Sequence, residues 1–327
     1  MVRFGMIGTN WITESFISAA SKVEDFQLTA VYSRTSEKAE EFARKYHAAH
    51  TYTDLDEFAK SEEFDAVYLA SPNSLHASQA IKLMQNGKHV LCEKPIASNV
   101  KEVEEMVRVA KEHNVVLMEA VKTTLLPNFL AIRDHLHKIG KVRRYFASYC
   151  QYSSRYDKYK AGTVLNAFKP EFSNGSLMDI GIYCVYPAVA LFGAPNDVKA
   201  SSYMLDSGVD GEGSLLLTYD DMDAVIMYSK ITNSYIPSEI QGENGSIIID
   251  KIHTPEHVKI HYKDGTVEDI TREQDSESMY YEAKEFMELV NENKLQSLIN
   301  SHDNTCQTAA ILEKARKQIG LVYPADK

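Results

Sequence analysis

The alternation of apolar and polar positions changes rhythm once along the chain, near Val121. Before it, short unbroken apolar runs ("VRFGMIG", "FQLTAVYS", "AAHTY", "DAVYLAS", "HVLCEK", "VVLMEAV") alternate with stretches such as "TSEKAEEFARKY", "LHASQAIKLMQNG" and "NVKEVEEMVRVAKEHN", whose apolar residues recur every three or four positions. The runs predict strands and the stretches predict helices. Strands covered on both faces by crossover helices carry no polar alternate, so this half predicts a doubly wound, parallel, Rossmann-type α/β sheet. Beyond Val121, one helix ("PNFLAIRDHLHKIG") precedes longer segments of period two: "KVRRYFASYCQYS", "GEGSLLLTYDDMDAVIMYSKI", "GSIIID" and "HVKIHYKDGTVEDI". These predict a mostly antiparallel sheet. "NGSLMDIGIYCVYPAVALFG" predicts an apolar helix ending at Gly193, and "SMYYEAKEFMELV" and "NTCQTAAILEKARKQIG" predict two more. The division is therefore residues 1–121 as a Rossmann-type α/β domain and residues 122–327 as an α+β domain.

Composition narrows the partners. Over 327 residues the formal net charge is -11 with both signs interspersed, which disfavours nucleic acid or an anionic membrane and favours a small molecule. Met1 runs directly into the first apolar strand, and no run of 18 apolar residues follows, so a cytoplasmic protein is expected. Cys92, Cys150, Cys184 and Cys306 have no C-x-x-C spacing and lie in apolar segments, which reads as reduced, buried thiols.

The first turn, Gly8-Thr9-Asn10-Trp11-Ile12-Thr13, stands where a dinucleotide fold carries G-x-G-x-x-G, with only the first glycine kept. Gly8 can make the bend. Asn10 is the substitute for the second glycine, because asparagine enters positive φ more readily than most residues and its amide can donate to phosphate. Thr13 replaces the third, at a cost in packing. At the end of the second strand, where an NAD enzyme places a carboxylate about 20 residues beyond the glycines, the chain has Ser33, Arg34 and Thr35. A guanidinium and two hydroxyls suit a 2′-phosphate, so NADP(H) is favoured over NAD(H).

"VYLASPNSLHASQAIKLMQNGKHVLCEKPIA" joins a strand, a Ser71-Pro72-Asn73 turn, a helix, and a strand ending in Glu93-Lys94-Pro95. This combination resembles the glucose-fructose oxidoreductase and inositol dehydrogenase family (Gfo/Idh/MocA), with its Pro-Asn-x-x-His and Glu-Lys-Pro segments. "GSLMDIGIYCVYPAVALFG" is similar to that family's Gly-x-x-x-Asp-x-Gly-x-His/Tyr helix, in the tyrosine form, and "VLMEAVKTTLLP" to its Glu-Ala exit from the first domain. The resemblance spans nearly the whole chain. It implies a cofactor site built from Gly8, Thr9, Asn10, Trp11, Ile12, Ser33, Arg34, Thr35, Ser71, Pro72, Asn73, His76, Glu93 and Lys94, and a lysine and tyrosine beside the substrate hydroxyl.

Hydride transfer between a carbinol carbon and a nicotinamide needs one group to move the hydroxyl proton and a cation or donor for the developing alkoxide. Lys94, Asp179 and Tyr183 can supply these as the catalytic set. Asp179 and Tyr183 are four apart and would share a helix face, with Gly181 leaving room for a ligand. A tyrosine titrates ordinarily near pH 10, so a nearby ammonium is required to lower it, and Lys94 is the candidate. Lys122, Asn166 and Lys169, with Thr123, are the candidate substrate lining, which suits a sugar or polyol better than an aromatic diol. The four-residue spacing of His253, His257 and His261 is not read as a metal site, because "HVKIHYKDG" alternates as a strand. An apolar strand face (Leu215, Leu217 and Tyr219 against Val225 and Met227) predicts a homodimer or a dimer of dimers. Two functions fit: an NAD(P)-dependent oxidoreductase of a sugar-like carbinol, or an inactive NADP(H)-binding sensor or scaffold of the same fold.

Overall fold

The computed structural model describes residues 1–327, and its internal contacts separate into two units. The first holds residues 1–122 and 275–306, the second residues 123–274 and 307–327.

In the first unit, β1 (Val2–Ile7), β2 (Phe26–Tyr32), β3 (His50–Tyr52), β4 (Ala66–Leu69), β5 (His89–Glu93) and β6 (Leu117–Ala120) form one sheet. Its order is β3-β2-β1-β4-β5-β6 and every pairing is parallel. The connecting helices are α1 (Trp11–Ala20), α2 (Ser36–Tyr46), α3 (Leu55–Lys60), α4 (Asn73–Gln85) and α5 (Val100–His113). This order reverses between β1 and β4, and such a switch point opens a crevice at the carboxyl ends of the strands. Every residue of β4 and β6 is buried, as their continuous apolar runs require.

The second unit carries α6 (Pro127–His135), α7 (Ser154–Lys160) and α8 (Ile182–Phe192). Its eight strands are β7 (Val142–Cys150), β8 (Asp197–Met204), β9 (Asp210–Thr218), β10 (Asp223–Ser229), β11 (Ser238–Gly242), β12 (Gly245–Ile249), β13 (Val258–Tyr262) and β14 (Val267–Asp269). The order is β14-β13-β12-β11-β7-β10-β9-β8, antiparallel throughout except for β7 beside β10. Helix α8 packs on β7 and β10, with Tyr145 Oη donating to the Cys184 carbonyl at 3.0 Å.

Two expectations need correction. The helix α9 (Tyr280–Asn291) belongs to the first unit rather than to a domain running from 122 to the end. Its Phe286 meets Phe4 at 5.8 Å in a cluster with Phe16 and Phe26, while Asp275 binds Lys22, just beyond α1, and Glu277 binds Ser18 of α1. The last helix, α10 (His302–Ile319), begins in the first unit and ends in the second.

The predicted apolar face mixes two sides of one sheet. Leu215 and Leu217 pair with Ile226 and Ala224, and all four are buried; Val225 and Met227 face the other way, opposite Leu216 and Ser214. Side chains alternate along a strand, so residues of opposite parity cannot share a face. The exposed side is instead Phe146, Leu216, Val225 and Met227, with Leu216 41% exposed.

By length and mean composition Pro170–Phe192 would pass for a membrane-crossing helix, although polar residues interrupt it and it is no unbroken apolar run. Most of that stretch is buried inside the second unit.

Candidate functional site

In the first unit, Gly8 has φ +106, and a Cβ there would lie 2.5 Å from the Ala70 carbonyl oxygen. Only glycine fits this bend. Asn10 does not take positive φ: at φ -118 it is the N-cap of α1, its side-chain oxygen accepting from Ile12 N (3.0 Å) and Thr13 N (3.4 Å). Its amide donates to Ala70 O at 3.3 Å. The residue therefore closes its own helix rather than imitating glycine, because capping gives the orphan N–H groups a partner. Thr13 is fully buried and its hydroxyl has no hydrogen-bond partner, a desolvation cost at the place of the third glycine. Thr9 and Ile12 are half-buried and Trp11 is 64% exposed. At the end of β2, Arg34 and Thr35 are exposed and Ser33 is half-buried. Thr35 stands at the N-cap of α2 without spending its hydroxyl there, and Arg34 makes no ion pair, so these donors remain available.

The Glu-Lys-Pro segment ends β5. Glu93 is buried and accepts from Tyr68 Oη at 2.5 Å and from Lys94 N at 3.2 Å; burial pushes its carboxyl up, while the Lys94 ammonium opposes the shift. Lys94 is half-buried. His76 departs from its expected role. It is fully buried, with Nδ1 2.9 Å from Pro95 O and Nε2 2.8 Å from Ser71 O, so both ring nitrogens face backbone carbonyls. Burial holds its pKa down, and the neutral ring donates to one of the two. The ring lies between the two motifs with both nitrogens turned to the main chain. Ser71 Oγ donates to Gln79 at 2.7 Å, Pro72 is the N-cap of α4, and Asn73 begins that helix.

Two carboxylates lie behind this segment: Glu119, the glutamate of the Glu-Ala motif, had been given no role, and Glu282 escaped sequence reasoning. Glu119 is buried on β6, accepts from Ile96 N at 3.0 Å and from the Thr305 hydroxyl, and is pushed up to about 7 by desolvation. Glu282 is buried on α9 with neither oxygen hydrogen-bonded, its carboxyl raised well above the ordinary range by burial and by Glu93. It sits three residues after Met279 and four before Phe286, within an apolar stripe, and that misplacement was the available signal. Lys122, read as substrate lining, donates to Ser278 Oγ at 2.9 Å. Burial pulls its pKa down against Glu282 and Glu93, so its ammonium is already engaged inside the first unit.

In the second unit, Asp210 fixes the segment that bears Asp179 and Tyr183. The buried carboxylate accepts from Ser176 N (3.1 Å) and Leu177 N (2.7 Å). Residues Leu177–Gly181 form a π-turn leading into α8, so Asp179 and Tyr183 are not related by one α-helical turn as their spacing suggested. Gly181 leaves no room for a ligand either: a Cβ there would lie 3.2 Å from Tyr228 Cγ. Asp179 is ion-paired with Lys230, whose side chain is only 5% exposed and whose Nζ lies 5.5 Å from the Phe168 ring centre. Lys230 continues the buried parity of Ala224, Ile226 and Tyr228 in "DAVIMYSK", a lysine where an apolar residue was due. Asp179 also lines a cleft of about 360 Å³ with Arg155, Asn166 and Asn174. Asn166, read from the sequence as substrate lining, borders this cleft, as does Arg155, which the sequence reading did not pick out; Lys169 is not among the lining residues. Tyr183 meets the rings of Tyr149 and His253.

A parallel sheet of this order, with a glycine bend and a basic strand end, belongs to the class of dinucleotide-binding oxidoreductases. The chain is a member of the GFO/IDH/MocA family: residues 2–121 match its oxidoreductase domain with NAD-binding Rossmann fold, and residues 130–248 match its C-terminal domain. It is thereby an enzyme, and the reading as an inactive sensor is set aside. Among its relatives, the scyllo-inositol 2-dehydrogenase (NADP(+)) IolU of Bacillus subtilis (strain 168) is 62% identical over 327 residues, covering 100% of both chains. The uncharacterized oxidoreductase YgjR of Escherichia coli (strain K12) is 45% identical over 329 residues, covering 100% of this chain and 99% of the other. Among solved structures, the 3-ketoreductase KijD10 of Actinomadura kijaniata, with NADP and TDP-benzene, superposes with a TM-score of 0.85 at 23% identity, over 97% of this chain and 98% of the other. That likeness concerns the fold.

Proposed function

We propose that the protein is an NADP(H)-dependent dehydrogenase that interconverts a carbinol and a ketone on a sugar or ring polyol of the inositol type. The observation that carries this reading is the full-length 62% identity to an NADP(+)-dependent scyllo-inositol 2-dehydrogenase. The Gly8 bend and the start of α1 hold the pyrophosphate, and Ser33, Arg34 and Thr35 hold the 2′-phosphate. When bound, the nicotinamide accepts or supplies the hydride. Tyr183 moves the hydroxyl proton, and Lys94 both favours the tyrosinate and donates to the carbinol oxygen as it becomes anionic. Asp179, neutralised by Lys230, accepts from a neighbouring substrate hydroxyl rather than acting as a base. Arg155, Asn166 and Asn174 supply donors in the same cleft. Lys122 leaves the substrate set, because its ammonium serves Ser278 and buried carboxylates.

Arg34→Asp tests the cofactor assignment. It is expected to weaken NADPH about 10- to 100-fold in calorimetry, the worth of a charged hydrogen-bonded pair, while changing NADH far less. Equal affinity of the unaltered protein for both cofactors would overturn it.

A second copy of this chain covers the exposed sheet face of Phe146, Leu216, Val225 and Met227, whose apolar area water disfavours. Sedimentation at micromolar concentration is expected to give a dimer or a dimer of dimers, and a monomer mass contradicts the pairing. The unpaired state of all four cysteines suits a reducing cytoplasm.

A further inference from the structure

Three rings from three elements meet on the second unit. Tyr149, on β7, and His253, in the loop after β12, stack face to face with centroids 3.9 Å apart and planes 5° from parallel. Tyr183, on α8, stands edge-on to both, at 5.8 Å from Tyr149 and 6.5 Å from His253. All three are partly exposed.

The histidine's loop is anchored as few loops are. His253 O accepts from Thr123 Oγ1 at 2.7 Å, and Pro255 O accepts from Asn128 Nδ2 at 3.1 Å and Gln274 Nε2 at 2.8 Å. Thr123 and Asn128 are fully buried. Buried polar groups carry a desolvation cost that only such bonds offset, so the loop is held in one place with its ring against Tyr149. Tyr149 Oη is turned to Gln151 at 3.1 Å. The result is a pre-set pair of parallel rings beside Tyr183, each covering one face of the other, so that the flat surface it can offer a ligand is an outer face of the stack.

A six-membered polyol with every hydroxyl equatorial has two faces made of C–H bonds and a rim of hydroxyls. Such a face suits an aromatic plate, while the rim suits Asp179 and the polar cleft. An axial hydroxyl would press a donor against carbon, desolvated and without an acceptor. Resting on the function proposed above, we infer that the Tyr149–His253 stack is the platform for the substrate ring and selects all-equatorial cyclic polyols over epimers with an axial hydroxyl.

The test compares kcat and KM for scyllo-inositol, all equatorial, and myo-inositol, with one axial hydroxyl, in the unaltered enzyme, His253→Ala, Tyr149→Leu and His253→Phe. The unaltered enzyme should prefer scyllo-inositol about tenfold or more. His253→Ala and Tyr149→Leu should raise KM for scyllo-inositol about 3- to 10-fold with kcat and NADPH affinity little changed, and should shrink the preference. His253→Phe, which keeps a flat ring, should retain it. If Tyr149→Leu fails to fold, the loop variant His253→Ala decides. Unchanged KM and preference in an active His253→Ala enzyme would overturn the platform alone; no turnover of any polyol by the unaltered enzyme would overturn the proposed function with it.

Discussion

Tyr183→Phe is expected to lower kcat by about 10²- to 10⁴-fold, the usual worth of a positioned general acid, with NADPH affinity and the thermal midpoint unchanged. The substitution deletes one hydroxyl from a half-buried ring and leaves its edge contacts with Tyr149 and His253 in place, so the loss falls on proton transfer. Lys94→Met should be at least as damaging, since the proposed mechanism gives the ammonium two tasks: to favour the tyrosinate and to donate to an oxygen that gains charge in the transition state. Steady-state rates of both variants on one substrate provide the measurement. Near-normal turnover in both places the chemistry elsewhere, and His76 is then a poor second choice, because both its nitrogens face backbone carbonyls.

Replacing Glu119 by Gln is expected to make the protein more stable at pH 8 while changing little at pH 5. The side chain titrates ordinarily at 4.5 and is pushed up to about 7 in the folded chain. Below pH 4.5 both states hold the proton. Between 4.5 and 7 the folded state keeps it and the unfolded state has lost it, so stability falls as pH rises, by about 1.4 kcal/mol per pH unit and about 3 kcal/mol in all. Glutamine retains an acceptor for Ile96 N and carries no charge to desolvate. Urea midpoints from pH 5 to 8 for the two proteins should diverge with rising pH; parallel curves would refute the assignment.

Much of this molecule was legible in its residues. The first sheet could be read because buried parallel strands are apolar on both faces, and each run has a matching strand. The strands β8 and β11 were missed for the opposite reason: β8 is an edge strand of "DVKASSYM" with one buried residue, and β11 has Ile240 as its buried apolar anchor, so main-chain pairing rather than side-chain pattern defines them. Parity errors had a similar root. Period two says that a strand has faces, but only register says which residues of two strands share one.

The candidates Gly8, Glu93, Lys94, Asp179 and Tyr183 could be picked out because each lies in a short local motif, most of them through the family resemblance. Lys230 and Glu282 were not singled out, and Glu119 was given no role beyond its Glu-Ala motif, because nothing local announces a partner 51 residues away or a carboxylate stripped of water by neighbours distant in sequence. Each nonetheless left a trace, a charged residue at a position whose periodicity called for an apolar one. His76 shows the converse: a motif spacing identified the residue but could not reveal that folding turns both its nitrogens to the main chain.

The return of residues 275–306 to the first unit bears on how such enzymes can be recombined. Cutting the chain at Val121 would strip Phe4 of Phe286, Glu119 of Thr305, and the Glu119 and Val121 carbonyls of the Asn300 amide. A coenzyme-binding half transplanted into a relative would therefore travel as two segments with three junctions. Insertions and deletions between the first two junctions fall within the second unit and leave the pairing of the two segments as it is.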